Sequence, residues 1–379
     1  MILSRKEFLS IFGKGIFGIS LFNSFTKTIF AGTTQKSQEQ PMIEVKIKRL
    51  ELAHTWTISR NSSDFKDNVF VRIQKDGIVG YGEAAPNVRY GENAQLTVHK
   101  IEEAKGLFAE HDLYNYVDLK TALDKKIIDQ SCAKAALDIA LMDWIGNALQ
   151  VPLYKLWGLN ISRSPLTSFS IGIDTPEIIR QKVKEASDYP ILKIKVGTKD
   201  DEMIINTVRS VTDKPIRVDA NEGWKIKEEA LEKIQWLKSQ GVEFVEQPMP
   251  STMLEETAWL RERSDLPIIA DEAVKTAADI PKLATAYDGI NIKLMKAGGL
   301  LEALRMIQMA KALDLKIMLG CMIESSVAIS AAAHLAPYVD WADLDGNLLI
   351  KNDPFSGVKV KDGQLVYNNK PGLGVEGNF

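Results

Sequence analysis

Histidine and cysteine are scarce in this sequence. Its 379 residues include four His and two Cys. Cys132 and Cys321 are the only cysteines, which excludes a disulfide framework and a Cys-rich zinc site. His54, His99, His111 and His334 nowhere fall at three- or four-residue spacing. Any metal chemistry must therefore rest on carboxylates. Charge of one sign is also lacking: 47 Lys+Arg face 50 Asp+Glu, a formal net charge of −3. Such a balance argues against a nucleic-acid partner, which selects a basic excess. The apolar run Phe8 to Phe22 is short and is interrupted by Lys14, so it predicts no stable membrane span.

Residues 1–40 read as an export signal and linker. Arg5 and Lys6 precede the apolar run, and the small residues Ala31 and Gly32 follow it. Ser4-Arg5-Lys6-Glu7-Phe8-Leu9 resembles a twin-arginine signal with Lys in the second basic place. The polar stretch 33–41 is a linker. The expectation is an exported, periplasmic protein, or a cytoplasmic one if the segment is not functional. That segment holds five basic and two acidic residues, so the remainder carries a net charge of −6.

From residue 168 onward, short β-rich runs alternate with helical patterns. The runs are 168–173, 191–196, 216–220, 244–247, 268–271, 290–294, 316–320 and 342–344. Between them, IKEEALEKIQWLKSQ ends at Gly241, a plausible C-cap, and LLEALRMIQMAKALD keeps a near-3.6 apolar period. Eight strand–helix units at one beat predict parallel strands joined by crossovers, an α/β fold closed as a (β/α)₈ TIM barrel. A doubly wound nucleotide-binding sheet would want a Gly-rich turn after its first strand, and the turn here reads Asp-Thr-Pro-Glu. Residues 42–160 differ. They alternate apolar and polar residues, turn at Lys75-Asp-Gly77, then become helical through 131–150. This predicts an N-terminal α+β module before a barrel over 161–350. The C-terminal segment 351–379 is expected to return and complete the module.

Catalytic groups in such a barrel project from the C-terminal strand ends. Asp219, Glu246 and Asp271 each follow an apolar run there. Three buried carboxylates in one mouth repel one another and call for a cation. Hard oxygen donors without His or Cys suit Mg²⁺, at about 2.0–2.1 Å per bond. A helix cap or a lysine partner is the plainer reading for any single one of them. Lys193 and Lys195 alternate with Ile on one strand, so both face the same side. Two close ammonium groups depress each other's pKa, which favours a neutral amine able to act as a base. Lys293 ends a strand four further round, and Lys296 competes with it. The two-residue period places Lys293 with Asn291 and leaves Lys296 on the loop before Gly298.

These residues together resemble the enolase superfamily, muconate-lactonising subgroup. The likeness runs through Lys193-Ile-Lys195, Asp219-Ala-Asn221, Glu246-Gln-Pro248, Asp271-Glu272, Asn291-Ile-Lys293 and the segment 151–158. It spans nearly the whole chain after the leader. The resemblance implies a capping domain over the barrel and Mg²⁺ ligands at Asp219, Glu246 and Asp271. It also implies a base at Lys195 with Lys193 as electrostatic neighbour, and an opposing acid/base at Lys293. The implied chemistry is removal of a proton α to a carboxylate through an enediolate; the superfamily serves as a stock example of this chemistry. No His–Asp dyad of the mandelate racemase branch is present, and His334 sits in an Ala-rich stretch as a core or surface residue.

On the last strand, Asp343 and Asp345 stand two apart, similar to the Asp-x-Asp by which dipeptide epimerases hold a substrate ammonium. An Asp-Gly turn is the plainer alternative. Cys321, Met322 and Glu324, in CMIESS, also resemble the seventh-strand region of these isomerases and are candidate substrate contacts. Capping loops 54–64 and 86–93 would read the side chains, with Arg60 or Arg89 meeting an acidic one as in Ala-Glu epimerases, or else remaining solvated loop charges. The implied partner is a small dipeptide. An o-succinylbenzoate synthase or muconate-type cycloisomerase on the same scaffold is the second reading. A Schiff-base lysine aldolase and an exported binding protein with a degenerate barrel are the others. The sequence carries no legible mark of oligomeric state, so a homo-oligomer stays open.

Overall fold

The computed structural model describes residues 39–379, and the export-signal reading of the N-terminal segment lies outside them, save its last two residues. Three antiparallel strands open the described chain: β1 (Met42–Thr57), β2 (Ser62–Lys75) and β3 (Ile78–Ala84). The β2–β3 hairpin turns at Asp76 and Gly77, both with positive φ, as Lys-Asp-Gly foretells. The helix Ser131–Leu149 packs on this sheet. Its Ala-rich face permits backbone-level contact, and glycines in β3 complete the fit. A Cβ on Gly82 would stand 2.0 Å from the Ala136 carbonyl oxygen and 2.8 Å from the Ala140 nitrogen. Neither backbone can yield cheaply. Gly82→Ala is therefore expected to cost about 2–3 kcal/mol, read as a lowered denaturation midpoint with an unchanged m-value.

Eight parallel strands follow: β4 (Phe169–Ile171), β5 (Leu192–Lys195), β6 (Ile216–Asp219) and β7 (Val242–Glu246), then β8 (Ile268–Ala270), β9 (Gly289–Lys293), β10 (Lys316–Gly320) and β11 (Trp341–Asp343). Each pairs with the next in order. A parallel bridge between Thr167 and Ala342, with the Ser168 N–H donating to the Ala342 oxygen at 3.2 Å, joins β4 to β11. The expected TIM barrel is thus present with its antiparallel N-terminal domain.

Side-chain alternation decides what fills the barrel. On β5, Leu192 and Ile194 point out to the helices, while Lys193 and Lys195 point in, all four being buried. Lower in the interior, Phe244, Ile269 and Met318 form an apolar floor with Trp341 packed against it. Two residues further along these strands come Glu246, Asp271, Gly320 and Asp343. The same period that builds a dry floor therefore raises the polar set to the mouth.

The C-terminal segment contacts both parts. Lys351 N–H donates to Glu51 O at 2.8 Å, and Phe355 lies 5.1 Å from the Tyr81 ring. Leu373 N–H donates to the buried Asp143 at 2.7 Å. Thr167 N–H donates to Gly363 O at 2.8 Å, which ties the segment's hairpin to the residues leading into β4. His334 is buried in this seam. It accepts from Tyr154 N–H at 3.2 Å and meets Leu373 O at 3.2 Å, and burial pushes its pKa down to about 4. It is a core residue. No described helix is long and apolar enough to cross a membrane.

Candidate active site

Asp219 and Glu246 end β6 and β7, Asp271 directly follows β8, and all three are buried. Each offers a carboxylate oxygen, and these oxygens all lie within 4.8 Å of one another. The polypeptide holds them firmly. Asp219 Oδ1 accepts from Asn221 N–H at 2.9 Å, and Glu246 Oε1 accepts from Asn291 Nδ2 at 2.7 Å. Gly320 makes room for that asparagine, because a Cβ there would meet its amide at 2.6 Å. Gln247 Oε1 accepts from the N–H groups of Asp271 and Ala273 at 2.9 and 3.1 Å. Asn221, Glu222 and Gln247 all hold positive φ without being glycine. Backbone strain of this kind is concentrated at functional sites.

The lysines meet these carboxylates from two sides. Lys195 Nζ donates to Asp219 Oδ2 at 2.6 Å, and Lys293 Nζ donates to Asp271 Oδ2 at 2.8 Å. Lys193 lies 2.7 Å from Glu246 Oε2, 2.7 Å from Asp343 Oδ2 and 3.5 Å from Asp219 Oδ2. Glu246 Oε2 is within ion-pair range but finds no aligned hydrogen bond, so it is a buried acceptor left unsatisfied. A convergent, dry, oxygen-only set with one orphaned oxygen fits a hard divalent cation.

Two sequence expectations change here. Burial opposes a charge on Lys193, but Asp343, Glu246 and Asp219 outweigh it and hold its pKa well above the ordinary lysine value. The lowering expected from a neighbouring ammonium does not occur. Lys296 does not lie on a loop. It belongs to the short helix Leu294–Ala297, is buried and pairs with Asp271 Oδ1, though burial still lowers its pKa. Lys293 itself is held above the ordinary value, because Asp271 and Glu246 outweigh burial. Among the carboxylates, burial and the charge of Asp219 push Glu246 up to about 8. Burial pushes Asp271 the same way, but Lys293 and Lys296 hold it well below the ordinary range.

Asp343 ends β11, and Asp345 lies two residues beyond it. Asp343 accepts from Ser168 Oγ at 2.7 Å and from Lys193, and Asp345 Oδ2 accepts from Ser170 N–H at 2.6 Å. Burial would raise both, but Lys193 carries Asp343 down to about 2, whereas the charge of Asp343 helps drive Asp345 up to about 7. No described lysine or arginine forms an ion pair with Asp345. Ser168, just before β4, and Ser170 on it follow the alternation in SFSIGI, a signal that the sequence carried.

Asp271, Asp343, Asp345, Lys193, Lys195 and Lys293 line one cavity of about 240 Å³, together with Cys321, Met322, Arg60 and Arg89, while Asp219 and Glu246 lie beneath its lining. Glu324 is not part of that lining. It is buried and turned back to accept from Met322 N–H at 2.8 Å, with a pKa pushed up to about 8 by burial. Neither arginine is a solvated loop charge. Arg60 donates to Asn221 O at 2.6 Å, Glu222 at 3.1 Å and Glu272 at 2.6 Å. Arg89 grips both oxygens of Glu222, at 2.9 and 3.0 Å. These ion pairs tie the loops of the N-terminal domain to the barrel rim.

Comparison with known proteins agrees with this geometry. Residues 177–378 match the family described as Enolase C-terminal domain-like, and residues 42–158 match the Mandelate racemase / muconate lactonizing enzyme, N-terminal domain. An L-Ala-D/L-Glu epimerase of Bacteroides thetaiotaomicron is 45% identical over 332 residues, covering 86% of this chain and 85% of its own. An L-Ala-D/L-amino acid epimerase of Pedosphaera parvula is 42% identical, covering 85% and 94%. A dipeptide epimerase of Enterococcus faecalis, solved with Mg and L-Leu-L-Tyr, superimposes with a TM-score of 0.83 at 33% identity, covering 88% and 98%. With both domain families matched in order and these relatives covering most of its length, the chain belongs to the mandelate racemase / muconate lactonizing enzyme family of the enolase superfamily, as an enzyme whose curated relatives include epimerases.

Proposed function

We propose that this protein is a Mg²⁺-dependent dipeptide epimerase that inverts the α-carbon of the dipeptide's C-terminal residue by proton transfer between two lysines. The observation that carries the reading is the approach of Lys195 and Lys293 to one buried carboxylate triad from strands four apart. A 1,1-proton transfer needs one base on each face of the α-carbon. Asp219, Glu246 and Asp271 would hold the metal. When bound there, it would stabilise the negative charge that builds on the substrate carboxylate as the α-proton leaves.

Lys195 takes or returns the proton on one face, and Lys293 does so on the other. One amine must be neutral to accept while its opposite is charged to donate, so the two exchange roles with the direction of reaction. Lys193 stays charged among its carboxylates and faces the substrate carboxylate. Asp343 and Asp345 take the free ammonium. Asp345 gains most from it, because the charge of Asp343 opposes its own and no described lysine or arginine is ion-paired with it. A cycloisomerase or o-succinylbenzoate synthase substrate lacks that ammonium and would set an anion against this pair.

The test is α-proton exchange in D₂O with a panel of L-Ala-L-Xaa dipeptides, followed by NMR and by chiral separation of the epimers. Exchange at the C-terminal residue, lost with EDTA and restored by Mg²⁺, is expected. Absence of exchange with every dipeptide of the panel would sink the proposal.

A further inference from the structure

Six cationic side chains line the cavity: Arg60, Lys66, Arg89, Lys193, Lys195 and Lys293. Five of them are engaged with carboxylates. Lys66, among the described residues, has no carboxylate or carbonyl partner. It lies on β2 opposite Leu50, two residues before Asn68 and therefore on the same face of the strand. Asn68 is buried there and reaches across to the barrel, donating to Ile323 O at 3.0 Å. Asp67, between them, points the other way and pairs with Arg49 at 2.8 Å. Strand alternation thus aims Lys66 at the barrel mouth. Burial alone lowers its pKa, with no anion nearby to oppose the shift. A half-buried ammonium without a counterion is unfavourable until an anion arrives.

The stereochemistry of the reaction says which part of the substrate could supply that anion. This step rests on the dipeptide-epimerase reading. The α-carbon has four substituents. Its carboxylate faces the acidic triad, its amide leads toward Asp343 and Asp345, and its hydrogen faces one of the lysines. The fourth, the side chain, is left with the N-terminal domain, where Lys66 waits. Arg60 and Arg89 are already held by Glu222 and Glu272.

We propose that Lys66 receives the side chain of the C-terminal residue, and that this side chain is a carboxylate, so that dipeptides ending in Glu or Asp are preferred. The isosteric pair L-Ala-L-Glu and L-Ala-L-Gln tests it. Wild-type enzyme should favour Glu in kcat/KM. In Lys66→Met, which keeps the apolar stem, the Glu-to-Gln ratio should fall by about 10- to 100-fold, as expected for one charged hydrogen bond. The change should lie mainly in KM, and Lys66→Arg should restore part of the ratio. Because the ratio is internal to each variant, partial misfolding cannot mimic the result.

A ratio unchanged in Lys66→Met would overturn the proposal, as would a ratio that survives there but collapses in Arg60→Ala. Wild-type enzyme that epimerises neutral dipeptides but not acidic ones would overturn it while leaving the dipeptide reading intact. Failure with every dipeptide would remove both.

Discussion

Replacing Lys293 with alanine is expected to abolish epimerisation yet leave α-proton exchange with one of the two stereoisomers. Lys195→Ala should do the same with the other stereoisomer. Each lysine serves one face, so a variant lacking one base can still wash deuterium into the isomer whose proton points at the survivor. It cannot deliver a proton to the opposite face. General acid–base groups contribute about 10²- to 10⁴-fold each, and inversion needs both, so epimerisation should fall at least that far. The structure argues that these variants fold. Without Lys293, Asp271 keeps Lys296; without Lys195, Asp219 keeps Lys193 at 3.5 Å. Neither carboxylate is stranded without a cation, the condition that makes removal of one partner of a buried pair destructive. Exchange of each isomer in D₂O, measured separately for both variants, decides the matter. Normal epimerisation by either variant would refute the two-base assignment.

The barrel was legible in the sequence because its signal is periodic. Eight apolar runs at one beat identify the strands almost to the residue. KIMLG, for example, is β10 from Lys316 to Gly320. The carboxylates were legible because charge at the end of a buried run is expensive and stands out. Partnership was not legible. Lys296 looked like a loop residue because a single helical turn, Leu294–Ala297, leaves no periodicity to read. The balance of charge on Lys193 depends on three carboxylates from three other strands, one of them 150 residues away, and no local pattern carries that. Arg60 and Arg89 show the same limit. Their sequence context is a polar loop, and only the folded rim shows that Glu222 and Glu272 occupy them. Lys66 passed unnoticed for the opposite reason. It sits in an ordinary alternating strand, and what sets it apart is the absence of a partner.

Adding Mg²⁺ to metal-stripped protein is expected to raise its melting temperature, and Glu246→Gln is expected to remove that rise together with the activity. Asp219, Glu246 and Asp271 are buried with oxygens within 4.8 Å of one another, so folding brings together charges that water no longer screens. A cation that binds the folded chain and not the unfolded one stabilises it by mass action, about 2.7 kcal/mol at a hundred times its Kd. Gln in place of Glu246 keeps the length of the side chain and an oxygen for Asn291, which now donates at 2.7 Å. It removes the charge and replaces the oxygen facing Lys193 with an amide donor. Lys193 still has Asp343 at 2.7 Å, so no ammonium is stranded. The variant should therefore fold, melt without response to Mg²⁺, and lose on the order of 10³-fold or more in turnover, the loss equivalent to several kcal/mol of metal-derived charge stabilisation. Calorimetry with and without EDTA reads the first effect, and D₂O exchange reads the second. Turnover that persists in EDTA, or a Mg²⁺-dependent rise that survives in Glu246→Gln, would place the cation elsewhere or remove it from the chemistry.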